Sequence, residues 1–290
     1  MPENDALVTV VIPTLGQRQE ELNRAINSVL IQEGIKTLPL VVVNGQVYDQ
    51  AVMDALRSRD DIRLHHAEKA SVSNARYQGR LLVDTPYFML LDDDDMFLEG
   101  AAREGMVALE QHGADVIALN GFRQYDGQRE VFQPSFDAMN KDPALALLQK
   151  NWLMSAGGFY RTETIGPDFL AGLPDYLELT VLAFRLALTR KVVGVDFPAF
   201  VIHEDHGRRA SQSLNYFEES PKALKMMEEM TDRPDLQRLL AHKRSAALHH
   251  VADLMLKDGR KGCAWHYHLK SLCVGDGWQF LPFTRHILLA

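Results

Sequence analysis

Cysteine is scarce in this chain. Cys263 and Cys273 are the only two in 290 residues; they form no CxxC pair and give no basis for a disulfide framework. Long apolar runs are also missing: none approaches the roughly 18 to 20 residues that span a bilayer. Positive charge is in deficit, with 31 Lys and Arg against 39 Asp and Glu and a net charge of −8. That balance argues against nucleic acid as the main partner, because phosphate binding needs a basic surface. The opening residues, Met1-Pro2-Glu3-Asn4-Asp5, are acidic and do not read as a signal peptide. There is no internal repeat and no low-complexity linker. These absences leave a soluble cytoplasmic protein as the expectation.

What is present is a hydrophobic content of 46%, enough for a sizeable core, and a regular alternation of short apolar runs with amphipathic segments. Val8 to Ile12 reads as a buried strand stopped by Pro13, and Leu38 to Val43 as a second. Ile62 to His65, Tyr87 to Leu91 and Val116 to Leu119 continue the series. Helices are predicted between them at Glu20 to Leu30, Ala51 to Ser58, Ser71 to Leu82 and Ala101 to His112. Strands alternating with helices of this length imply βαβ units and a mainly parallel sheet, an α/β fold. The pattern then changes. Asp126-Gly127 predicts a hairpin turn within Phe122 to Phe132, Pro143 to Lys150 a short helix, and Tyr176 to Thr189 a strong amphipathic helix. Lys191 to Val195 and Ala199 to Ile202 read as two short strands. From Ser220 the chain reads as all-helical, with Ser220-Pro221 and Asp232 to Pro234 as helix starts. An apolar tail follows, from Trp278 to Leu289. Packing on the protein's own core is the simplest reading of it; contact with a membrane surface or a second subunit is the alternative.

The most informative stretch is Asp92-Asp93-Asp94-Asp95, directly after the apolar run Tyr87 to Leu91. Adjacent carboxylates repel unless cations or donors offset them. Their position at the end of a buried strand is where open α/β sheets bind ligands. Oxygen-only ligands suit Mg²⁺ or Mn²⁺, which commonly bridge to phosphates.

Four segments in order then carry a resemblance: Val10-Val11-Ile12-Pro13-Thr14, Ser28-Val29-Leu30-Ile31-Gln32, Ser73-Asn74-Ala75-Arg76-Tyr77-Gln78-Gly79, and Leu91 with the four aspartates. Together they resemble glycosyltransferase family 2 over roughly residues 8 to 210. The resemblance implies a GT-A fold and inverting transfer of a sugar from a nucleotide-sugar donor. It places a GT-A domain at residues 1–214, divided into a nucleotide-sugar half (1–120) and an acceptor half (121–214). A helical extension then covers residues 215–290. It assigns Pro13, Thr14 and Asn44 to the nucleoside, Asn44 standing where the family usually has an acid. Asn74 and Arg76 go to the phosphates. Asp92 goes to the ribose or a metal-bound water, and Asp94 to Mg²⁺ or Mn²⁺. Asp93 is grouped with the nucleotide-binding residues as the variable position of the motif, its side chain expected to turn elsewhere. Asp95 is expected behind the metal or on the acceptor side.

The family's general base comes from an acidic pair before a helix. Asp175 matches its second acid, Pro174 replaces the first, and Glu178 is the alternative. The segment His203-Glu204-Asp205-His206-Gly207-Arg208-Arg209 resembles the family's closing loop, with His206 preferred over His203 for the metal and Arg208 and Arg209 for the diphosphate. The implied partners are a nucleotide-sugar donor, UDP-linked by preference, and a glycan or lipid-linked acceptor, in the setting of bacterial surface polysaccharide or glycolipid assembly. The other histidines, among them His249 and His268, read as structural. Two competing readings remain: a sugar nucleotidyltransferase, for which Leu15-Gly16-Gln17-Arg18 is a poor match to the Gly-rich basic loop required, and a non-catalytic nucleotide- or sugar-binding module on a degenerate GT-A fold.

Overall fold

The computed structural model describes residues 7–204 and 213–289. In chain order the elements are β1 (Val8–Thr14), α1 (Gln19–Leu30), β2 (Thr37–Asn44), α2 (Gln50–Arg57), β3 (Arg63–Ala67), α3 (Val72–Leu81), β4 (Tyr87–Leu90), β5 (Met96–Phe97), α4 (Ala101–His112), β6 (Val116–Tyr125) and β7 (Gln128–Val131). There follow α5 (Asp137–Lys141), α6 (Pro143–Gln149), β8 (Gly158–Arg161), α7 (Glu178–Thr189), β9 (Val192–His203), α8 (Leu214–Glu229), α9 (Pro234–Lys257), α10 (Lys261–Leu272) and α11 (Phe283–Leu289). The described residues divide into two compact units, 7–175 with 186–204 and 176–185 with 213–289, so the boundary runs through α7.

The first unit is built on one nine-stranded sheet in the order β3-β2-β1-β4-β8-β6-β9-β5, with β7 hydrogen-bonded to β6. Strands β3, β2, β1 and β4 are mutually parallel, so their carboxyl ends share one edge. The alternation along β1 sets the layers. Val8, Val10 and Ile12 join a core with Leu22, Ile26 and Val29 of α1, Val52 and Leu56 of α2, and Ala101 and Leu109 of α4. Each large member of that core is worth about 1.5–3 kcal/mol relative to exposure. Val11 faces the other way, against α3. Its methyl would lie 2.3 Å from a Cβ added at Gly79, so the missing side chain is what lets α3 close on the strand.

Pro13 does not stop β1, which runs one residue further. Val11 accepts a hydrogen bond from Leu91 N, so Pro13, two residues on, faces the same side but lies beyond the last paired residue of β4. The missing N–H therefore falls where the sheet offers no ladder partner. The two short strands expected near residues 191–202 are one strand, β9. It runs parallel to β6 through register shifts around Asn120, and its far end also pairs antiparallel with β5. Asn120 Nδ2 donates to Asp196 Oδ1 at 2.6 Å, and Pro198 sits at the irregularity, a position strands tolerate. The Asp126-Gly127 hairpin forms as expected, both residues at positive φ (46° and 76°).

In the second unit Val251, Met255, Ala264 and Ile287 form the core, with Phe217, Trp265 and Phe283 packed on it. The Ser220-Pro221 helix start is overturned. Ser213 already caps α8 by accepting from Tyr216 N, and Pro221 is carried inside the helix, where it forgoes one backbone bond. The apolar tail is split between two environments: Ile287 is fully buried, while Trp278, Leu281, Leu288 and Leu289 are exposed. His268 is buried with Nε2 2.8 Å from Thr284 Oγ1, and His249 stacks on Phe280 at 4.1 Å.

Candidate active site

The four aspartates form a tight turn at the carboxyl end of β4, closed by Asp95 N donating to Asp92 O at 3.2 Å. Alternate carboxylates leave the turn in different directions, and each meets a different element. Asp92 accepts from Arg76 Nη2 at 2.5 Å; Arg76 projects from α3 and its side chain is 2% exposed, whereas that of Asp92 is 37% exposed. Asp93 accepts from Thr14 Oγ1, at the end of β1, at 2.6 Å. The expectation that Asp93 turns elsewhere is thus replaced by a direct bond to the β1 terminus, because the turn aims its second side chain back across the sheet edge. Asp94 lies at the rim, and Asp95 is buried, accepting from His203 N at the end of β9 at 3.0 Å.

Two residues of this cluster were not among the expected site residues. Arg18, in the loop between β1 and α1, bridges Asp93 Oδ1 at 2.5 Å and Asp94 Oδ2 at 2.7 Å. Arg24 of α1 donates to the main-chain oxygen of Asp94 at 2.6 Å. A sequence signal for both existed: basic residues just after the first strand of a parallel sheet share an edge with whatever ends its neighbour.

The electrostatics follow from burial. Burial pushes the Asp93 carboxyl up to about 6, opposed by the Thr14 hydrogen bond and Arg18 and assisted by repulsion from Asp94 and Asp92. Burial and the charges of Asp92 and Asp94 lift Asp95 well above the usual carboxylate range, against the pull of the His203 N–H. Both shifts favour the protonated acids, so the turn holds less negative charge than four free aspartates would, with Arg18, Arg24 and Arg76 set against what remains. Among the described residues no three His, Cys, Asp or Glu side chains are grouped to cage a metal. Asp92 and Asp94 are the partly exposed carboxylates of the turn, oxygen donors of the kind a hard divalent ion accepts, and each carries a guanidinium, Arg76 and Arg18.

The other expected residues fall as follows. Asn44 ends β2 and spends an amide N–H on Thr14 O at 2.9 Å. Pro13 stands beside Thr14. Asn74 lies in the first turn of α3, its backbone N–H capped by Ser71 Oγ at 3.1 Å. Asp175 is exposed and precedes α7, which begins at Glu178 after Leu177 at φ 61°; the helix expected from Tyr176 starts two residues later. The Asp175 carboxylate accepts from Ser71 Oγ, and Ser73 Oγ donates to Pro174 O at 2.5 Å, so this loop is tied to the amino end of α3. Glu178 belongs to the second unit, where burial and its charge raise the Tyr216 phenol. His203 meets Asp95 through its backbone. His206, Arg208 and Arg209 lie outside the described residues.

An acidic turn and a buried arginine thus share one edge of a parallel sheet, the edge at which open α/β sheets bind ligands. The family model for glycosyl transferase family 2 matches residues 9–191. The chain belongs to that family and is a glycosyltransferase of GT-A fold, with a curled, mainly parallel sheet flanked by helices and a helical C-terminal part. Among solved structures it is similar to S. aureus TarS 1-349 in complex with UDP-GlcNAc, with 13% identity, a TM-score of 0.62, and coverage of 96% of this chain and 91% of that one. Similarity to TarS 1-349 alone is 15% identity with a TM-score of 0.57 over 81% of this chain and 69% of that one. The longer S. aureus TarS chain matches at 14% identity and a TM-score of 0.57, with 53% of it covered. At these identities the likeness speaks for the fold. No curated protein matches the chain. No helix among the described residues is long and apolar enough to cross a membrane.

Proposed function

We propose that the protein transfers a sugar, with inversion, from a UDP-sugar to an acceptor hydroxyl, in the assembly of a surface polysaccharide or glycolipid. The observation that carries this reading is the convergence of Thr14, Arg76, Asp92, Asp93 and Asp94 at one sheet edge. The TarS structures with UDP and with UDP-GlcNAc support the choice of donor. In this reading residues 1–214 carry the chemistry and residues 215–290 form the extension, whose exposed Trp278, Leu281, Leu288 and Leu289 favour contact with a membrane surface.

The nucleoside lies against Pro13, Thr14 and Asn44, with Asp93 fixed beside them by Thr14. Asn74 and Arg76 face the phosphates, Arg76 held flat by its bond to Asp92. Asp94 and Asp92 would hold Mg²⁺ or Mn²⁺, which supplies Lewis-acid stabilisation of a departing diphosphate. His206 would add to that shell and Arg208 to the diphosphate contacts. Asp175, oriented by Ser71, takes the proton of the acceptor hydroxyl as its oxygen attacks the anomeric carbon; the bond to the diphosphate breaks and the diphosphate keeps the electron pair. Asp95 braces the turn from below.

Release of UDP from UDP-sugars tests the reading. Asp175→Asn should lower turnover about 100-fold or more while UDP, with Mn²⁺, still raises the melting temperature as in the wild type. Loss of UDP binding in Asp175→Asn would remove its role as base. No thermal response to any nucleoside diphosphate would remove the donor assignment.

A further inference from the structure

The Arg18 guanidinium occupies one of the carboxylates that the reading above gives to a divalent cation, Asp94, together with the neighbouring Asp93. It lies 2.7 Å from Asp94 Oδ2 and 2.5 Å from Asp93 Oδ1. A cation at the Asp94 carboxylate would sit against this charge with little solvent between, so the two exclude one another. Of the three guanidiniums on the acidic turn, Arg24 holds only the main-chain oxygen of Asp94, and Arg76 is fixed on Asp92: its side chain is 2% exposed. Arg18 is the movable one, 41% exposed and carried by the loop ahead of α1. Asp93 does not depend on Arg18 alone, since Thr14 also holds it. Departure of Arg18 therefore leaves the turn in place and frees Asp94.

We infer that Arg18 is the tethered counter-ion of the donor-free site: it neutralises Asp93 and Asp94 until a divalent cation arrives together with a diphosphate, and it then leaves Asp94. Cation and nucleotide consequently load as a pair, and neither the free ion nor the empty site commits alone. The released guanidinium is a planar fork of the kind that pairs with phosphate oxygens, and it remains within reach of the same rim. Arg18 is thus a positioning residue that sets the order of loading. This inference rests on the donor site proposed above.

The test is Mn²⁺ binding to the full chain by titration calorimetry, with and without UDP, in wild type, Arg18→Gln, Arg18→Lys and Asp94→Asn. Wild type should bind Mn²⁺ weakly alone and roughly tenfold or more tightly with UDP present. Arg18→Gln should bind Mn²⁺ alone roughly tenfold more tightly than wild type, with most of the UDP dependence gone. Arg18→Lys, which keeps the charge, should stay near wild type. Equal Mn²⁺ affinity for wild type and Arg18→Gln without UDP, with UDP-dependent binding still lost in Asp94→Asn, overturns the role of Arg18 and leaves the donor site standing. Absence of Mn²⁺ binding to wild type even with UDP overturns the donor-site reading and this inference with it.

Discussion

Replacing Thr14 by Val keeps the shape of a side chain that is 2% exposed and removes two interactions. One is the bond from its hydroxyl to the Asp93 carboxylate at 2.6 Å; a hydrogen bond to a charged acceptor is worth about 1.5–3 kcal/mol. The other is its acceptance of the Gly16 N–H at 3.0 Å, a neutral bond worth about 1 kcal/mol. Thr14→Val should therefore cost about 3 kcal/mol. Thr14→Ser keeps both bonds and loses one methyl, about 0.8 kcal/mol. The two units make a single global transition unsafe to assume, so the probe must report on the first unit alone. Trp152, fully buried in that unit with its Nε1 2.8 Å from Pro143 O, is suitable once Trp265 and Trp278 are replaced by Phe. Urea titrations of Trp152 fluorescence then measure both variants. A Thr14→Val loss below about 0.5 kcal/mol, or a Thr14→Ser loss equal to it, would show that the hydroxyl does not hold the acidic turn to β1.

Gly79→Ala drives a methyl to 2.3 Å from Val11 Cγ1 and should cost about 1–3 kcal/mol by overpacking; a double-mutant cycle with Val11→Ala should show coupling of about 1 kcal/mol, and strict additivity would refute the contact. Burial lowers the His268 pKa below its ordinary value. The folded state then prefers the neutral ring: stability is fully present above the unfolded value, about 6.5, and is lost as the pH falls through that value toward the lower folded one. His249 shifts the same way, through burial and then repulsion from His268. Amide exchange in α10 and α11, corrected for intrinsic rates, should therefore accelerate between pH 7 and pH 5 in wild type and respond less in His268→Gln.

Much of the first half was legible because its signals are local. Buried runs such as Val8 to Ile12, the Ser71 cap and the Asp126-Gly127 turn each specify their conformation within a few residues. The aspartates marked the site edge because a charged block cannot lie inside a sheet. The misreadings share a different cause. Lys191 to Val195 and Ala199 to Ile202 read as two strands because a single sequence does not reveal that Asn120 of β6 supplies the compensating irregularity between them. Pro221 looked like a helix start because the stronger cap, Ser213, lies eight residues earlier. Arg18 carries no local mark of its partners, which are 75 and 76 positions away in the chain; only the rule that parallel strands end on one edge brings them together.

The two serines at the head of α3 have a mechanical consequence. Ser71 and Ser73 grip the loop that carries Asp175, and one turn further along the same rigid rod stands Arg76. On the proposed reading, the phosphate-binding arginine and the proton acceptor are thereby yoked to a single lever. On that reading, a ligand that tugs on the arginine would also re-aim the carboxylate, and the two halves of the reaction would not evolve independently.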